Sequence, residues 1–187
     1  MQRPTKEQIS ELPLYIGLDF IDIKIIENEV DAESALTMLA NEVCLGFDTE
    51  SKPTFRKGEM TAGPTLIQLA TASKAYLFPT RFPAAVSAAM KILADASIKK
   101  VGFGIKGDNK ELRNKFNIEI SNTLDLSVKL KHLAGEKNTI GAKAAVAMVL
   151  KLRLAKGAQT SNWGAYPLKK TKFYMRRMMH IAQFAPK

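Results

Sequence analysis

Cysteine, histidine and tryptophan are scarce in this sequence, and long hydrophobic runs are missing. One cysteine and two histidines among 187 residues are too few for a disulfide framework or a cysteine–histidine zinc cluster. No apolar stretch approaches the ~20 residues that cross a bilayer. Residues 1–13 are polar and mixed in charge, unlike a secretion signal. We therefore expect a cytoplasmic protein with no membrane partner, in which Cys44 is a small buried hydrophobic residue.

The length and charge of the chain favour one domain with a nucleic-acid partner. A chain of 187 residues, 46% hydrophobic and 25% charged, is typical of a single globular domain. The net charge of +10 suits a protein that neutralises phosphates. Residues 169–187 hold six of those positive charges and no acid, so the rest of the chain is only mildly basic.

The hydrophobic pattern predicts an α/β fold in which helices cover a central sheet. Alternating or buried apolar runs predict strands at 20–26, 43–47, 65–70, 75–78 and 100–105, with a hairpin turn at 71–74. Apolar spacing of three to four predicts helices at 31–39, 84–93, 108–116, 124–133 and 140–154.

Two carboxylates end the second predicted strand. Asp48 and Glu50 lie two residues apart, so strand alternation directs both side chains to one face. Like charges at that distance repel unless a cation lies between them, and oxygen ligands suit Mg²⁺ or Mn²⁺. The alternative is a solvated acidic pair at a strand end, and the pair alone does not decide between the two.

A third acid follows the last predicted strand. The segment VGFGIKGDNKEL, residues 101–112, reads as a strand, a glycine-flanked corner and the start of a helix that carries Asp108. Asp108 is either a functional carboxylate or only the N-cap of that helix.

Together these blocks resemble the DEDDy-type 3′–5′ exonucleases. The ordered set is FDTES, the hairpin TLIQLAT with AYLF, VGFGIKGDNKEL, Asn162-Trp163 and Pro167-Leu168. It is similar to Werner-type exonuclease domains and small bacterial relatives, and it covers about residues 23–168. The resemblance implies a ribonuclease H-like fold with a central mixed five-stranded sheet flanked by helices. Residues 1–22 would then be an N-terminal arm and residues 169–187 an aberrant tail.

The resemblance also implies a site and a substrate. Asp48, Glu50 and Asp108 would be three of four carboxylates that hold two divalent ions, Mg²⁺ or Mn²⁺. The partner would be a nucleic acid, DNA or RNA, with a free 3′ end. Candidate substrate contacts are Thr49, Lys156, Ser161, Asn162 and Trp163, although Trp163 is equally a candidate core anchor.

Two other polar residues receive structural interpretations. Asp125 lies where the family often has an acid near a helix start, and we interpret it as a cap rather than a ligand. His132, within a predicted helix, is interpreted as a surface or cap residue rather than a base.

The last block of the family is incomplete in this chain. The family has a tyrosine and, four residues later, an aspartate, one turn apart on a helix. Here Tyr174 is followed at that distance by Met178, whose thioether is a poor ligand for a hard dication. The sequence therefore predicts an impaired 3′–5′ exonuclease that keeps Tyr174 as a catalytic residue. The alternatives are a nucleic-acid-binding pseudoenzyme and, less favoured, a protein-interaction module.

A one-base slip in the gene explains this tail. Met178 and Met179 are encoded ATG-ATG, so a frame starting at the third base of Met178 reads GAT, which is aspartate. The next shifted codon, formed with His180, is GCA, alanine. If Arg176 and Arg177 use CGG, that frame from Tyr174 reads Tyr-Ala-Ala-Asp-Asp-Ala-Tyr, with the forced aspartate four residues after the tyrosine. We hypothesise one lost base near codon 169, which leaves residues 169–187 largely out of frame.

Sequencing the gene across codons 165–187 tests this hypothesis. We expect arginine codons at positions 176 and 177 that permit the shifted Tyr-Ala-Ala-Asp-Asp reading. An AGA codon at Arg176 would convert the second and third shifted residues to glutamate and threonine, and the slip would then be wrong.

Overall fold

The computed structural model describes residues 2–16, 18–51 and 63–154. Its helices are α1 (Lys6–Glu11), α2 (Glu29–Leu39), α3 (Pro83–Ala94), α4 (Lys106–Phe116), α5 (Leu126–Ala134) and α6 (Ala142–Leu150). Its strands are β1 (Ile23–Ile25), β2 (Cys44–Ser51), β3 (Pro64–Ala70), β4 (Ala75–Pro79), β5 (Lys99–Gly102) and β6 (Thr123–Asp125). One turn of 3₁₀ helix, Phe20–Asp22, precedes β1.

The strands form one mixed sheet in the order β1-β4-β3-β2-β5-β6. Strands β2, β3 and β4 are antiparallel neighbours, while β1, β5 and β6 join through parallel pairs. The predicted α/β fold with a mixed sheet is confirmed. In the described part of the chain the sheet has six strands rather than five. The extra strand, β6, has three residues, too few to show an alternation distinct from the helical pattern that continues into α5.

Two apolar clusters cover the two faces of the sheet. On one face, helices α2, α3 and α4 pack against the odd-numbered side chains of β2 and β3, including Phe47, Ile67 and Leu69. On the other face, Leu66 and Ala70 of β3 pack in a cluster with Leu126 at the start of α5. Helix α6 packs on α5 beside this second cluster. Strand β2 therefore lies between two covered faces, with its carboxyl-terminal half at the rim.

Helix and arm boundaries differ from the prediction in detail. Helix α2 begins at Glu29 rather than Asp31, because the Asn28 side chain accepts a hydrogen bond from the Asp31 amide at 2.9 Å and caps the helix earlier. Helix α6 ends at Leu150, and the chain then turns back to pair with the N-terminal arm. The Tyr15 amide donates to the Arg153 carbonyl at 2.9 Å.

No helix in the described stretches is long and apolar enough to cross a bilayer. The longest, α3, has 12 residues, whereas a spanning helix needs about 20.

Lys100 is a buried cation in the core of the sheet. Its side chain is 0% exposed, and its Nζ donates to the backbone carbonyl of Asp95 at the end of α3, at 2.5 Å. A cation there satisfies a terminal helix carbonyl and interacts favourably with the helix dipole. Burial nevertheless lowers the pKa of Lys100 from 10.5 to about 8, against the opposing charge of Asp95.

This lowered pKa predicts a pH-dependent stability. Between pH 8 and 10.5 the unfolded chain keeps a proton on Lys100 that the folded chain has released, so Lys100 makes the free energy of unfolding rise with pH in that window. We expect the Lys100→Met variant to lack this contribution. Its free energy of unfolding should exceed that of the parent most at pH 7 and least near pH 10. Urea denaturation at pH 7, 8, 9 and 10 measures the difference, with Lys99→Met as the control. Equal pH dependence in parent and Lys100→Met would contradict the assignment.

Candidate active site

The carboxyl-terminal half of β2 presents its first two candidate carboxylates on one face. Asp48 lies directly opposite Gln68 of β3 in the antiparallel register, and Glu50 lies opposite Leu66. Directly opposite residues share a face, and the Gln68 Nε2 donates to the Glu50 Oε1 at 3.4 Å. The two acids therefore point to the same side of the sheet, as the alternation predicts.

Thr49, between the two acids, faces the opposite side and contacts the third candidate carboxylate. Its hydroxyl donates to the Asp108 Oδ1 in a short hydrogen bond. Phe47, on the same side, packs in the cluster that contains Ile105 and Leu112 of the β5–α4 region. Asp108 lies in the first turn of α4 but is not its N-cap, because the N-cap position is Ile105. The capping alternative for Asp108 is therefore wrong.

A close backbone approach brings α4 to the end of β2. Gly102 ends β5, and a Cβ added there would lie 2.6 Å from the Phe47 carbonyl oxygen and would also collide with Ile105. Gly104 then turns with φ +69°, a conformation that side chains disfavour. Its amide donates to the Asp125 Oδ1 at 3.0 Å. These glycines let the corner between β5 and α4 fold tightly enough for Asp108 to reach Thr49.

Two more residues of α4 hold the chain on either side of residues 52–62. The Ser51 hydroxyl donates to the Glu111 Oε2 at 2.7 Å, and the Lys115 Nζ donates to the Pro64 carbonyl at 2.7 Å. With Asp108, these residues recur at three to four positions along one helix face, the spacing that aligns side chains over an adjacent strand. Helix α4 is thus hydrogen-bonded to the end of β2 and the start of β3.

Burial sets the electrostatics of this contact. It raises the pKa of the Asp108 carboxyl, and the negative charge of Glu111 acts in the same direction, while the Thr49 hydrogen bond opposes the rise. Burial also lowers the pKa of Lys115, against the opposing charge of Glu111. Asp108 is therefore a carboxyl group whose ionised form is disfavoured in this arrangement.

The structure brings some of the predicted site residues together and separates others. Asp48 and Glu50 share a face, whereas Asp108 is bonded to Thr49 on the opposite side of the same strand. Within the described ranges, no group of three acidic, histidine or cysteine side chains is placed to hold a metal ion. The other predicted residues, Tyr174, Lys156, Ser161, Asn162 and Trp163, lie outside the described residues, as does Met178.

Asp125 and His132 have the structural roles predicted for them. Asp125 is the N-cap of α5, where its side chain accepts from the Ser127 amide at 2.9 Å and from the Ser127 hydroxyl at 2.6 Å. His132 is exposed in the last turn of α5. The sequence reasoning missed Gln68 and Glu111. Gln68 was detectable as the one amide in an otherwise apolar strand, and Glu111 as an acid three residues after Asp108.

A family model described as 3′-5′ exonuclease matches residues 23–176. The chain therefore belongs to the 3′–5′ exonuclease domain family, and the resemblance seen in its motifs is confirmed.

Two curated relatives agree with the family match. A 3′-5′ exonuclease of Arabidopsis thaliana is 27% identical over 154 residues, which are 79% of this chain and 50% of that protein. The bifunctional 3′-5′ exonuclease/ATP-dependent helicase WRN of Mus musculus is 30% identical over 144 residues, 73% of this chain and 10% of that protein. The chain thus spans half of the first relative and a tenth of the second.

Solved structures share the fold at low sequence identity. The Aedes aegypti Nibbler EXO domain has a TM-score of 0.69 at 23% identity and covers 90% of this chain and 84% of its own. Trypanosoma brucei RNase D, in a GMP complex, has a TM-score of 0.76 at 17% identity, covering 95% and 57%. Escherichia coli RNase D has a TM-score of 0.71 at 20% identity, covering 86% and 42%. The ribonuclease H-like fold is therefore confirmed.

The contact between Ser51 and Glu111 predicts a measurable coupling. A partly buried hydrogen bond to a carboxylate contributes more than an exposed one, so we expect a double-mutant cycle of Ser51→Ala and Glu111→Ala to give a coupling of about 1 kcal/mol. Urea denaturation measures it. The matched control is the Arg113–Glu119 ion pair, whose side chains are 61% and 77% exposed and should couple more weakly. Equal couplings would show that α4 does not hold β2 through Glu111.

Proposed function

We propose that this domain is a 3′–5′ exonuclease that hydrolyses terminal phosphodiester bonds of nucleic acid by a two-metal mechanism, and that the reaction is impaired in this chain. The proposal rests on the Asp48–Glu50 pair, whose side chains share one face at the end of a central strand. Asp108 is hydrogen-bonded to Thr49, the residue between them, on the other face. All three acids lie within residues 23–176, the part of the chain that the family model matches.

The donor set fits hard divalent ions in part. Asp48 and Glu50 supply two carboxylates from the same face, and such oxygen ligands suit Mg²⁺ or Mn²⁺. Asp108 lies against Thr49, a position compatible with a role exerted largely through water rather than by direct ligation. Two such ions, when bound, would activate a water and stabilise the leaving 3′ oxygen.

Each residue of the chain then has a defined task. Asp48 and Glu50 would hold the ions directly, with Glu50 on the side of the attacking water, and Asp108 would act on the other side, largely through water. Tyr174 would orient the attacking water. Since the family's fourth acid would share the ion of Glu50, the attacking side should suffer most from its loss.

The charge distribution supports a nucleic-acid substrate on this face. Residues 126–154, which form α5 and α6 on the side of Asp48 and Glu50, contain six lysines and arginines and one acid. Residues 25–51 contain seven acids and no lysine or arginine, and five of these acids lie in or near α2 on the other face. Phosphates are therefore attracted toward the face that carries the two carboxylates. We propose as substrate a nucleic acid with a free 3′ end.

The proposed loss of activity is inferred from the sequence at the end of the chain. Met178 occupies the position of the fourth carboxylate, and the family match ends at residue 176, two positions earlier. A metal ion that lacks one anionic ligand binds more weakly, so residual hydrolysis should require high Mg²⁺ or Mn²⁺.

A nuclease assay on a 3′-recessed duplex and a single-stranded RNA tests the proposal. We expect slow metal-dependent release of 3′-terminal nucleotides, which Asp48→Asn abolishes. Met178→Asp, or the chain re-encoded with the missing base restored, should raise the rate by at least about tenfold, because even changes outside the ligand shell cost about 10- to 100-fold.

Since the restored frame encodes its forced aspartate at residue 179, the control is His180→Asp, which adds an acid outside residues 178 and 179 and should leave the rate low. Hydrolysis that survives Asp48→Asn, or a re-encoded chain no faster than the parent, would contradict the proposal.

The second candidate function is that of a nucleic-acid-binding pseudoenzyme. The net charge of +10 and the lack of a three-acid metal group within the described ranges favour it. Salt-dependent nucleic-acid binding that is unchanged by Asp48→Ala, without any product in Mg²⁺ or Mn²⁺, would select this alternative.

A further inference from the structure

Gln68 is a buried amide in a place that apolar packing does not explain. It lies in the middle of β3 and is 1% exposed. Its neighbours on the same face of the strand, Leu66 and Ala70, belong to an apolar cluster, and its partner across β4 is Leu77 of the same cluster. Its polar neighbours on this face are Asp48 and Glu50 of β2. Burying a glutamine here costs more free energy than burying a leucine or methionine, unless hydrogen bonds satisfy its amide.

The amide has a fixed orientation. An ionised carboxylate only accepts hydrogen bonds, so the NH₂ group of Gln68 must face Glu50, where Nε2 lies 3.4 Å from Oε1. The Oε1 of Gln68 consequently points away, and it is buried with no hydrogen-bond partner among the described residues. Buried acceptors without partners are uncommon in native proteins, so this one calls for an explanation.

We propose that Gln68 is a positioning residue for the metal site: its NH₂ group holds the Glu50 carboxylate beside Asp48 in the orientation that an ion requires. The inference rests on the proposed function, because it assigns a task to Gln68 only if Asp48 and Glu50 bind a divalent ion. Groups that hydrogen-bond a metal ligand from outside its coordination shell fix that ligand's orientation, and their loss weakens metal binding.

Another contact of Glu50 provides the contrast. The Thr65 hydroxyl donates to the main-chain carbonyl of Glu50 at 3.1 Å, not to its carboxylate. Thr65 and Gln68 are on the same strand and both contact the same residue, so they separate an effect on the Glu50 side chain from an effect on strand pairing.

The test is Mn²⁺ binding to the full chain, measured by electron paramagnetic resonance. Gln68→Met keeps the length of the side chain and removes the amide, and we expect it to weaken Mn²⁺ binding by about tenfold. Thr65→Val should leave the affinity unchanged, and Asp48→Asn defines the signal without the site. Equal affinity of Gln68→Met and the parent would overturn the inference while the metal site stands. A parent no better than Asp48→Asn would overturn the proposed function, and the inference with it.

A measurement on the parent chain does not depend on how the variant folds. The side-chain NH₂ resonances of Gln68 should shift when Mg²⁺ is added, and should not shift in Asp48→Asn. If Mg²⁺ shifts the backbone amides of residues 48–50 but leaves the Gln68 side-chain resonances in place, the amide is not coupled to the ion and the inference is wrong.

Discussion

The alternation of side chains along β2 is the constraint on which the candidate site depends. Phe47, fully buried, lies opposite the fully buried Leu69 of β3, and this pair fixes the register of the two strands. A slip of one residue would turn Phe47 to the other face and bury Asp48 and Glu50 in the apolar cluster under α2, α3 and α4. Burying two unpaired carboxylates in an apolar cluster is strongly unfavourable. The packing of the hydrophobic core thereby determines the face to which Asp48 and Glu50 point.

Helix α4 adds the second constraint, because it holds the other face of the same strand end. Asp108 accepts a hydrogen bond from Thr49, and Glu111 accepts one from Ser51. The helix is therefore bonded to the residues that alternate with the acidic pair. The result is a strand end with carboxylates on both sides and a hydroxyl between them. Such a concentration of acids is unfavourable by itself. Amide and hydroxyl donors lessen the repulsion, and a bound cation would remove most of it.

Much of this arrangement could be predicted from the sequence. The buried run before Asp48 fixed β2, the alternation placed Asp48 and Glu50 on one face, and the glycines of residues 102–107 indicated the corner before α4. The contact of Asp108 with Thr49 could not be predicted, because it depends on how closely β5 approaches β2 and on the direction of one side chain. Strand β6 was missed because three residues carry too little pattern, and the role of Gln68 because a single sequence does not reveal which neighbour an amide faces.

The departure at the end of the chain has an electrostatic consequence that follows from this geometry. In the two-ion site that we propose, two dications would carry four positive charges, which four ionised carboxylates would balance. Met178 in place of the fourth acid would leave three at most. Burial and the charge of Glu111 raise the pKa of one of these acids, Asp108. The remaining anionic charge is then concentrated on Asp48 and Glu50, on the face where α5 and α6 add positive charge. Such positive charge would attract phosphates and oppose metal ions. In the proposed site, the same residues that favour nucleic-acid binding would therefore make metal binding depend on every carboxylate that remains.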